Sequence, residues 1–252
     1  MNTPTVDFLV RAAREFRRGG WVFTGFHWPV LAGQLAHALA GEPFVQVFEA
    51  GAGCWEAGTA VPTSTTDYPA YANALGWRAT TSDVLLGMAR RFDRVVLDAS
   101  NIDVLGRVNS SFLGPREKPS VRLPGGGGAP DVAAAARELV WLHGGSDLRR
   151  IQDRVEHVTA APGSHSLVRM HTRWGSVRLG AQPRLEELAE AAPGTDDFVA
   201  HLRGLGVDVS SPESRTEVSS EDRRAAAQVL AEAAGRGYAV ARRAHAELEV
   251  LR

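Results

Sequence analysis

Short apolar runs alternate with helical segments in the N-terminal part of the chain, and this alternation limits the possible folds. Residues 21–23 form one apolar run, Pro29 opens a helical segment that closes at Gly41, and residues 44–48 form a second run. Proline is favoured in the first turn of a helix, and glycine commonly follows the last turn. Strands that alternate with helices indicate right-handed βαβ units. The sequence therefore predicts an α/β fold with a mostly parallel open sheet and flanking helices.

A single carboxylate follows the second apolar run. Glu49 stands directly after residues 44–48 and directly before Ala50 and Gly51, so it should leave the carboxyl end of a buried strand on a tight turn. Open parallel sheets place their chemistry at this edge, and an ionisable group at the exit of a buried strand is costly unless something pairs with it or uses it. Glu49 is therefore a candidate catalytic residue. The alternative, which its position alone leaves open, is that Glu49 only caps the next segment.

Composition limits the partners and the compartment. The 252 residues suffice for one large domain, and we predict a single domain over residues 1–252 in which residues 165–252 are the less typical part. With 28 Lys and Arg against 29 Asp and Glu, the chain lacks the basic field that nucleic-acid binding requires. One cysteine, Cys54, and the absence of a long apolar run favour a cytoplasmic protein without disulfides, metal or membrane contact. We interpret Cys54 as a small buried hydrophobe rather than a nucleophile.

Four consecutive glycines, residues 125–128, precede a helical segment that begins near Asp131. Bare backbone N–H groups ahead of a helix can bind an oxyanion or a phosphate group. The alternative is a flexible linker, but Leu123 and Pro124 before the glycines and an alanine-rich helical segment after them favour an anion-binding cradle formed by these N–H groups. One carboxylate and one such cradle fit nucleophilic catalysis. A carboxylate that attacks an acyl-CoA thioester gives an anhydride and a thiolate, through intermediates whose oxyanion needs fixed N–H donors.

The remaining elements follow from hydrophobic periodicity and turn residues. The pattern predicts an amphipathic opening helix (6–18), a long functional loop (51–81), a capped helix (82–92), strands (94–97 and 139–143), a hairpin (167–179), two short helices around Leu185 and Phe198, and a peripheral, solvated C-terminal helix (219–251) interrupted at residues 235–237.

Four segments, taken together and in order, resemble the β subunits of family I coenzyme A transferases, and most of all the glutaconate CoA-transferase type. They are FEAG at residues 48–51, IDVLGRVNSS at 102–111, RLPGGGGA at 122–129 and VEHVTAAPG at 155–163. The resemblance covers roughly residues 5–165 and weakens beyond them. Each segment alone would be a weak signal, but their order makes the combination specific.

The resemblance implies a fold of the NagB/RpiA/CoA transferase-like type and a homologous α subunit as partner in a hetero-oligomer. It also implies a ping-pong reaction in which coenzyme A moves between an acyl-CoA and a carboxylic acid through a glutamyl-CoA thioester at Glu49, with no metal. The backbone N–H groups of Gly127, Gly128 and Ala129 would face the developing oxyanion. Asn109 would line the site near the thioester.

One turn departs from the family pattern. Where relatives carry a small Gly-x-Gly-like turn, this sequence has Gly25, Phe26, His27 and Trp28, which we expect to line and reshape the acyl pocket. This argues against glutaconate as the substrate. The retained Glu49 favours CoA transfer, whereas the bulky turn favours a subunit diverted to decarboxylation, hydrolysis or C–C cleavage of an acyl-CoA. A third hypothesis is a subunit that only positions an active partner.

Overall fold

The computed structural model describes residues 3–189, 192–212, 214–216 and 218–250, so Leu251, the predicted end of the last helix, lies outside them. Helices and strands alternate through the first half of the chain. The α-helices are α1 (Pro4–Arg17), α2 (Trp28–Ala38), α3 (Tyr68–Tyr71), α4 (Ala129–Ala135), α5 (Thr195–Gly204), α6 (Ser220–Gly235) and α7 (Ala239–Val250). None of these helices is long and apolar enough to cross a membrane.

Strands connect the helices. They are β1 (Arg18–Thr24), β2 (Glu42–Phe48), β3 (Ala52–Cys54), β4 (Leu75–Arg78), β5 (Arg94–Asp98), β6 (Ile102–Asp103), β7 (Phe112–Leu113), β8 (Val121–Arg122), β9 (Glu138–His143), β10 (Ile151–Gln152), β11 (Leu167–Thr172), β12 (Gly175–Leu179), β13 (Arg184–Ala189) and β14 (Ser214–Thr216). Ten of them form one sheet in the order β14-β13-β12-β11-β9-β5-β1-β2-β3-β4.

The middle of this sheet is parallel and its flanks are mixed. Strands β11, β9, β5, β1 and β2 run parallel, and the antiparallel pairs lie outside them on both sides. Successive side chains of a strand point to opposite faces, so the central strands fill two cores. Phe23 and Leu97 pack on the face covered by α4 and α5, whereas Val22 and Val96 pack on the face covered by α1, α2, α6 and α7. The predicted α/β fold is confirmed.

The opening helix is buried on its polar face as well as its apolar face. Asp7, Arg11 and Glu15 are all almost fully buried. Arg223 of α6 forms a bidentate ion pair with Asp7, with N···O distances of 2.7 and 3.0 Å, and α6 packs Leu230 into the core beneath. The C-terminal helix is therefore not peripheral, because α6 covers α1, whereas charged residues such as Glu221, Glu232 and Arg236 are exposed, in agreement with a solvated face.

Glu15 is the centre of a buried ionic cluster, and its removal should destabilise the protein in a pH-dependent way. Its carboxylate lies 2.9 Å from His171 Nε2, 3.1 Å from Arg169 and 2.9 Å from Arg18. Burial raises the pKa of Glu15, but the hydrogen bond and charge of His171 and the charge of Arg169 outweigh it, so the pKa falls below 4.5. This stabilisation is present above the unfolded-state pKa and is lost as the pH falls below it.

We expect Glu15→Gln to lower the free energy of unfolding at pH 7 by about 3 kcal/mol, because it removes the buried charge that His171, Arg169 and Arg18 share. The difference between wild type and variant should shrink as the pH is lowered through about 4.3, the usual pKa of an unfolded glutamate. Urea unfolding at several pH values measures both effects. The exposed Glu117→Gln is the matched control. A pH-independent difference would contradict an ionic origin.

The stretch after Glu49 is not the loop that the sequence predicted. It contains β3, α3 and β4, and β3 and β4 extend the sheet beyond β2. Each of these two strands carries a glycine that is covered by a tryptophan ring from the other side of the pair: Trp77 lies on Gly53, and Trp55 lies on Gly76. Short strands with a central glycine give no apolar alternation, so this pairing leaves no sequence signal.

Two further elements differ from prediction. Leu185 lies in β13 and not in a helix, because pairing with β12 overrides the helix propensity of the segment. The helix predicted at residues 82–92 begins one residue earlier and is irregular, with a wide turn at Asp83–Gly87 and a tight turn at Ala89–Arg91. Its start is a capping box, in which Thr80 and Asp83 each bind the other's backbone N–H group.

Candidate active site

Glu49 lies where the sequence placed it, at the carboxyl end of buried β2 on a tight turn. Phe48 and Ala52 pair across the hairpin, and the Gly51 N–H group donates to the Phe48 carbonyl over 3.0 Å. Gly51 has φ +94°, a conformation that favours glycine, and it packs directly on the Ala79 backbone. The turn is therefore fixed in position, and it presents Glu49 half-buried at the carboxyl edge of the parallel strands.

The residues beneath Glu49 form a small apolar cluster. The rings of Phe48 and Tyr71 stack with centroids 4.7 Å apart and an interplanar angle of 7°. Cys54 is buried in the same small core, and burial raises the pKa of its thiol to about 12. Such a thiol is not a nucleophile near neutral pH. The interpretation of Cys54 as a buried hydrophobe is thus consistent with its surroundings.

The Glu49 carboxylate faces the glycine run. A Cβ atom built on Gly127 would lie 3.8 Å from Glu49 Oε1, and one built on Gly128 would lie 3.2 Å from the same oxygen. On its other side, the Gly128 position is closed by Leu85, whose Cδ2 would lie 2.5 Å from that added Cβ. Within the described ranges, no hydrogen bond or ion pair engages the Glu49 carboxylate. The carboxylate is thus unpaired and lies against bare main chain.

The glycine loop is held by the neighbouring motif segments. Ser110 and Gly125 form two reciprocal hydrogen bonds, from Ser110 Oγ to the Gly125 carbonyl at 2.8 Å and from the Gly125 N–H group to the Ser110 carbonyl at 2.7 Å. Thr159 Oγ1 accepts from the Ser110 N–H group at 3.0 Å and contacts Ser111 Oγ at 2.7 Å. Three of the four segments noted in the sequence therefore meet at the loop that faces Glu49.

Two of the predicted oxyanion and CoA-binding residues are engaged elsewhere. The Ala129 N–H group donates to the Gly126 carbonyl at 2.9 Å. The Asn109 amide is buried and bonds within its own turn, donating to the Phe112 carbonyl at 2.8 Å and accepting from the Ser111 N–H group at 3.1 Å. The N–H groups of Gly127 and Gly128, by contrast, meet no acceptor in the part of the chain that the structure describes. Asn109 shapes the loop from behind, and the two glycines present the open donors.

In the bulky turn after β1, Gly25, Phe26 and His27 form one group and Trp28 lies apart from them. The Gly25 N–H group donates to the Val96 carbonyl at 2.8 Å, which ties the turn to β5. His27 has φ +64°, which is strained for a residue other than glycine, and its Nδ1 lies 3.0 Å from Asp98 Oδ2. Phe26 is 42% exposed, and its ring centroid lies 4.0 Å from that of His27.

The Trp28 side chain points away from Phe26 and His27. It is buried and packs edge-on against Phe8 with ring centroids 5.2 Å apart. Because β1 and β2 pair with Thr24 opposite Phe48, the turn begins beside Glu49 on the same sheet edge. Gly25, Phe26 and His27 therefore remain candidates for the acyl pocket, while Trp28 supports the turn from the core.

Sequence reasoning did not find Leu85, which closes the glycine cradle, or the pairing of Asp98 with His27. Leu85 lies in an irregular helical turn far from the glycines in the chain, and nothing in its local pattern marks it. Asp98 carries a usable signal, because it ends a buried strand as Glu49 does. Among the described residues, no group of three or more His, Cys, Asp or Glu side chains is placed to hold a metal ion.

Comparison with known proteins relates the chain to CoA transferases and a decarboxylase. It is 31% identical over 142 residues to the B subunit of 3-oxoadipate CoA-transferase from Pseudomonas knackmussii, a match that covers 53% of this chain and 51% of the relative. A variant of the decarboxylase AibA/AibB matches with 25% identity and a TM-score of 0.75, covering 90% of this chain and 94% of that one. Glutaconate CoA-transferase from Acidaminococcus fermentans matches with 19% identity and a TM-score of 0.75, covering 94% and 97%. No family model matches the sequence.

These matches confirm the resemblance to CoA-transferase β subunits and the fold class. The structural similarity covers nearly the whole chain, including the part beyond residue 165 where the sequence resemblance weakens. In sequence, the chain spans about half the length of the curated relative it matches.

Proposed function

We propose that this chain, which has the fold of the coenzyme A transferases, is the β subunit of a heteromeric family I enzyme that moves CoA between an acyl-CoA and a carboxylic acid. The observation that carries this proposal is the unpaired Glu49 carboxylate beside the open N–H groups of Gly127 and Gly128. The sequence similarity to 3-oxoadipate CoA-transferase supports it. The acyl group is not glutaconate on this proposal, because Phe26 and His27 fill the turn beside the site.

Glu49 acts as the nucleophile. Its carboxylate attacks the thioester carbonyl of the acyl-CoA, and the N–H groups of Gly127 and Gly128 bind the oxyanion that forms. Collapse of this intermediate breaks the C–S bond and gives an acyl-glutamyl anhydride and the CoA thiolate. The thiolate then attacks the Glu49 carbonyl, which releases the acyl group as its carboxylate and leaves a glutamyl-CoA thioester. A second carboxylate reverses both steps and leaves as the new acyl-CoA.

The partner supplies the rest of the site. Large apolar side chains are exposed in the segments around Glu49, and Leu86, next to the residue that closes the cradle, is 70% exposed. Trp55 in the segment after Glu49 is 56% exposed. An α subunit that covers these side chains would enclose Glu49, which is only half-buried in this chain. On this proposal the chain alone does not turn over.

A trapped adduct tests the proposal. The complex with its α subunit is incubated with an acyl-CoA, treated with borohydride or with hydroxylamine, and digested for mass spectrometry. We expect modification of Glu49, as the alcohol after borohydride and the hydroxamate after hydroxylamine, because both reagents attack activated acyl derivatives. The neighbouring Glu56 is the internal control and should stay unmodified. An active complex that never yields an adduct at Glu49 would rule out the covalent mechanism.

The second candidate function is a diverted reaction, namely decarboxylation, hydrolysis or C–C cleavage of an acyl-CoA. The strained His27, oriented by Asp98, supplies an imidazole beside the site, and the decarboxylase AibA/AibB shares this fold at 25% identity. In this case the complex would release CO2, free CoA or a cleavage product without any acceptor acid. A strict requirement for a carboxylate acceptor supports transfer instead.

A further inference from the structure

We propose that His27, held by Asp98, forms a subsite that binds a hydroxyl group on the acyl chain of the substrate. The two residues come from neighbouring strands, since His27 follows β1 and Asp98 ends β5. His27 Nδ1 lies 3.0 Å from Asp98 Oδ2, and the two side chains are 32% and 27% exposed. This assignment rests on the proposed function, because it takes the ligand to be an acyl-CoA.

The pair lies at the point where the strand order of the sheet reverses. Strand β1 leads through α2 to β2 on one side, whereas β5 leads through α4 to β9 on the other side. The helices α2 and α4 cover opposite faces of the sheet. The chain therefore leaves β1 and β5 in opposite directions and opens a crevice beyond their carboxyl ends. Open α/β sheets bind their ligands in such crevices, and His27 and Asp98 stand on its two sides.

The backbone of His27 has a conformation that glycine adopts far more readily. Its φ is +64° and its ψ is −118°, and among the described residues no other residue except glycine has a positive φ. Such strain persists only where the surroundings impose it, and it is typical of ligand sites. The imidazole is fixed by Asp98 and by the Phe26 ring, whose centroid lies 4.0 Å from its own. A histidine is thus held in one orientation at a position that suits glycine.

The hydrogen bond to Asp98 determines what His27 offers to a ligand. An ionised carboxylate only accepts hydrogen bonds, so Nδ1 carries the proton that the Asp98 oxygen receives. In a neutral imidazole the other nitrogen, Nε2, is then an acceptor. No hydrogen bond engages Nε2 in the part of the chain that the structure describes. An acceptor binds a donor, and the donor that an acyl chain ordinarily carries is a hydroxyl group.

Glu49 is close enough for one acyl chain to reach both groups. Strand β5 is the second strand from β2 in the sheet, so at about 4.8 Å per strand their ends lie about 10 Å apart. His27 follows β1, which lies between them. An acyl group whose thioester carbon lies at Glu49 can therefore extend along the edge of the sheet to His27. The exposed Phe26 ring gives its carbon chain an apolar wall.

Binding to the complex of Glu49→Gln with its α subunit measures this preference without turnover. Calorimetry compares hexanoyl-CoA with its hydroxy derivatives, substituted at each position of the chain in turn, and with the corresponding oxo derivatives. We expect the best hydroxy derivative to bind about tenfold more tightly than hexanoyl-CoA, as for one added hydrogen bond. An oxo derivative, whose oxygen only accepts, should bind no more tightly than hexanoyl-CoA.

Two variants, made in the same Glu49→Gln complex, assign the preference to the pair. His27→Gly removes the imidazole and relaxes the turn, so the preference for the hydroxy derivative should disappear while resistance to urea does not fall. In Asp98→Asn the amide can donate to Nδ1, which allows the imidazole its other tautomer, so the ratio of hydroxy to oxo affinity should fall. His165→Gly, the same change at an exposed histidine outside the crevice, is the matched control and should keep the preference.

Three results would overturn the subsite. The first is equal binding of hexanoyl-CoA and all its hydroxy derivatives, and the second is a preference that survives His27→Gly. The third is a gain for the oxo derivatives alone, which would show that Nε2 donates. Turnover that survives Glu49→Gln in the otherwise unchanged complex refutes the nucleophile instead, so failure of the catalytic proposal and failure of the subsite remain distinguishable.

Discussion

Replacing Glu49 by glutamine is expected to abolish CoA transfer and leave the fold intact. The amide has the size of the carboxylate but cannot attack a thioester, so turnover should fall by about 10⁴-fold or more, as when other covalent enzymes lose their nucleophile. Because no described residue bonds to the Glu49 carboxylate, loss of its charge removes no native contact. Turnover of the complex and urea unfolding of the same sample measure the two effects.

Glu56→Gln is the control for this experiment. It makes the same chemical change at an exposed glutamate shortly after the site, where we expect full turnover. A Glu49→Gln complex that keeps turnover within tenfold of wild type would refute Glu49 as the nucleophile. The diverted reaction at His27, or a subunit that only positions an active partner, would then remain.

The parallel centre of the fold could be predicted because each of its strands is buried on both faces. Residues 44–48 are apolar except for Gln46, residues 95–97 are all apolar, and such runs are typical of covered parallel strands. The flanking strands carry no such pattern. In β3 and β4, tryptophan rings lie over glycines of the opposite strand. The sequence of β13 predicts a helix, and only its pairing with β12 makes it a strand. These contacts join residues distant in the chain, so local periodicity does not encode them.

The burial of the polar face of α1 could not be predicted from the sequence, for a similar physical reason. A helix with charged residues on one face ordinarily exposes that face. Here Asp7 forms an ion pair with Arg223 of α6. Glu15 forms ion pairs with His171 and Arg169 of β11, so both carboxylates are buried together with partners of opposite charge. Partners more than 150 positions away in the chain decide this burial. Single-helix patterns cannot anticipate such partners.

Two features of the candidate site are visible in the sequence. Glu49 and the glycine run are marked by residue types that are costly or unusual where they stand, an acid at the exit of a buried strand and four glycines before a helix. Their mutual approach could only be expected from the resemblance. The structure adds the contact of Leu85 with Gly128. It also shows that the Ala129 N–H group is already hydrogen-bonded, so only the N–H groups of Gly127 and Gly128 remain as open donors in the predicted set.

Gly128→Ala should damage catalysis and stability by separable routes. The added methyl group would lie 2.5 Å from Leu85 Cδ2 and 3.2 Å from Glu49 Oε1. The first contact overpacks the cradle, at a cost of about 1–3 kcal/mol in the free energy of unfolding. The second puts the methyl group where the thioester carbonyl must approach the glycine N–H groups. We therefore expect kcat/KM to fall by about 10²–10³-fold, comparable to the loss of an oxyanion donor. Gly87→Ala, at a glycine with open space around it, is the control.

A double variant separates the two routes. In Gly128→Ala combined with Leu85→Ala, the clash with the leucine is removed while the methyl group remains beside Glu49. The stability loss of the double variant should therefore be smaller than the sum of the two single losses, because the substitutions share one contact. Its kcat/KM should nevertheless stay low. Recovery of full activity in the double variant would show that a glycine is needed at this position only to make room for Leu85, since alanine keeps the main-chain N–H group. Low activity with recovered stability locates the function of this glycine at the Glu49 carboxylate.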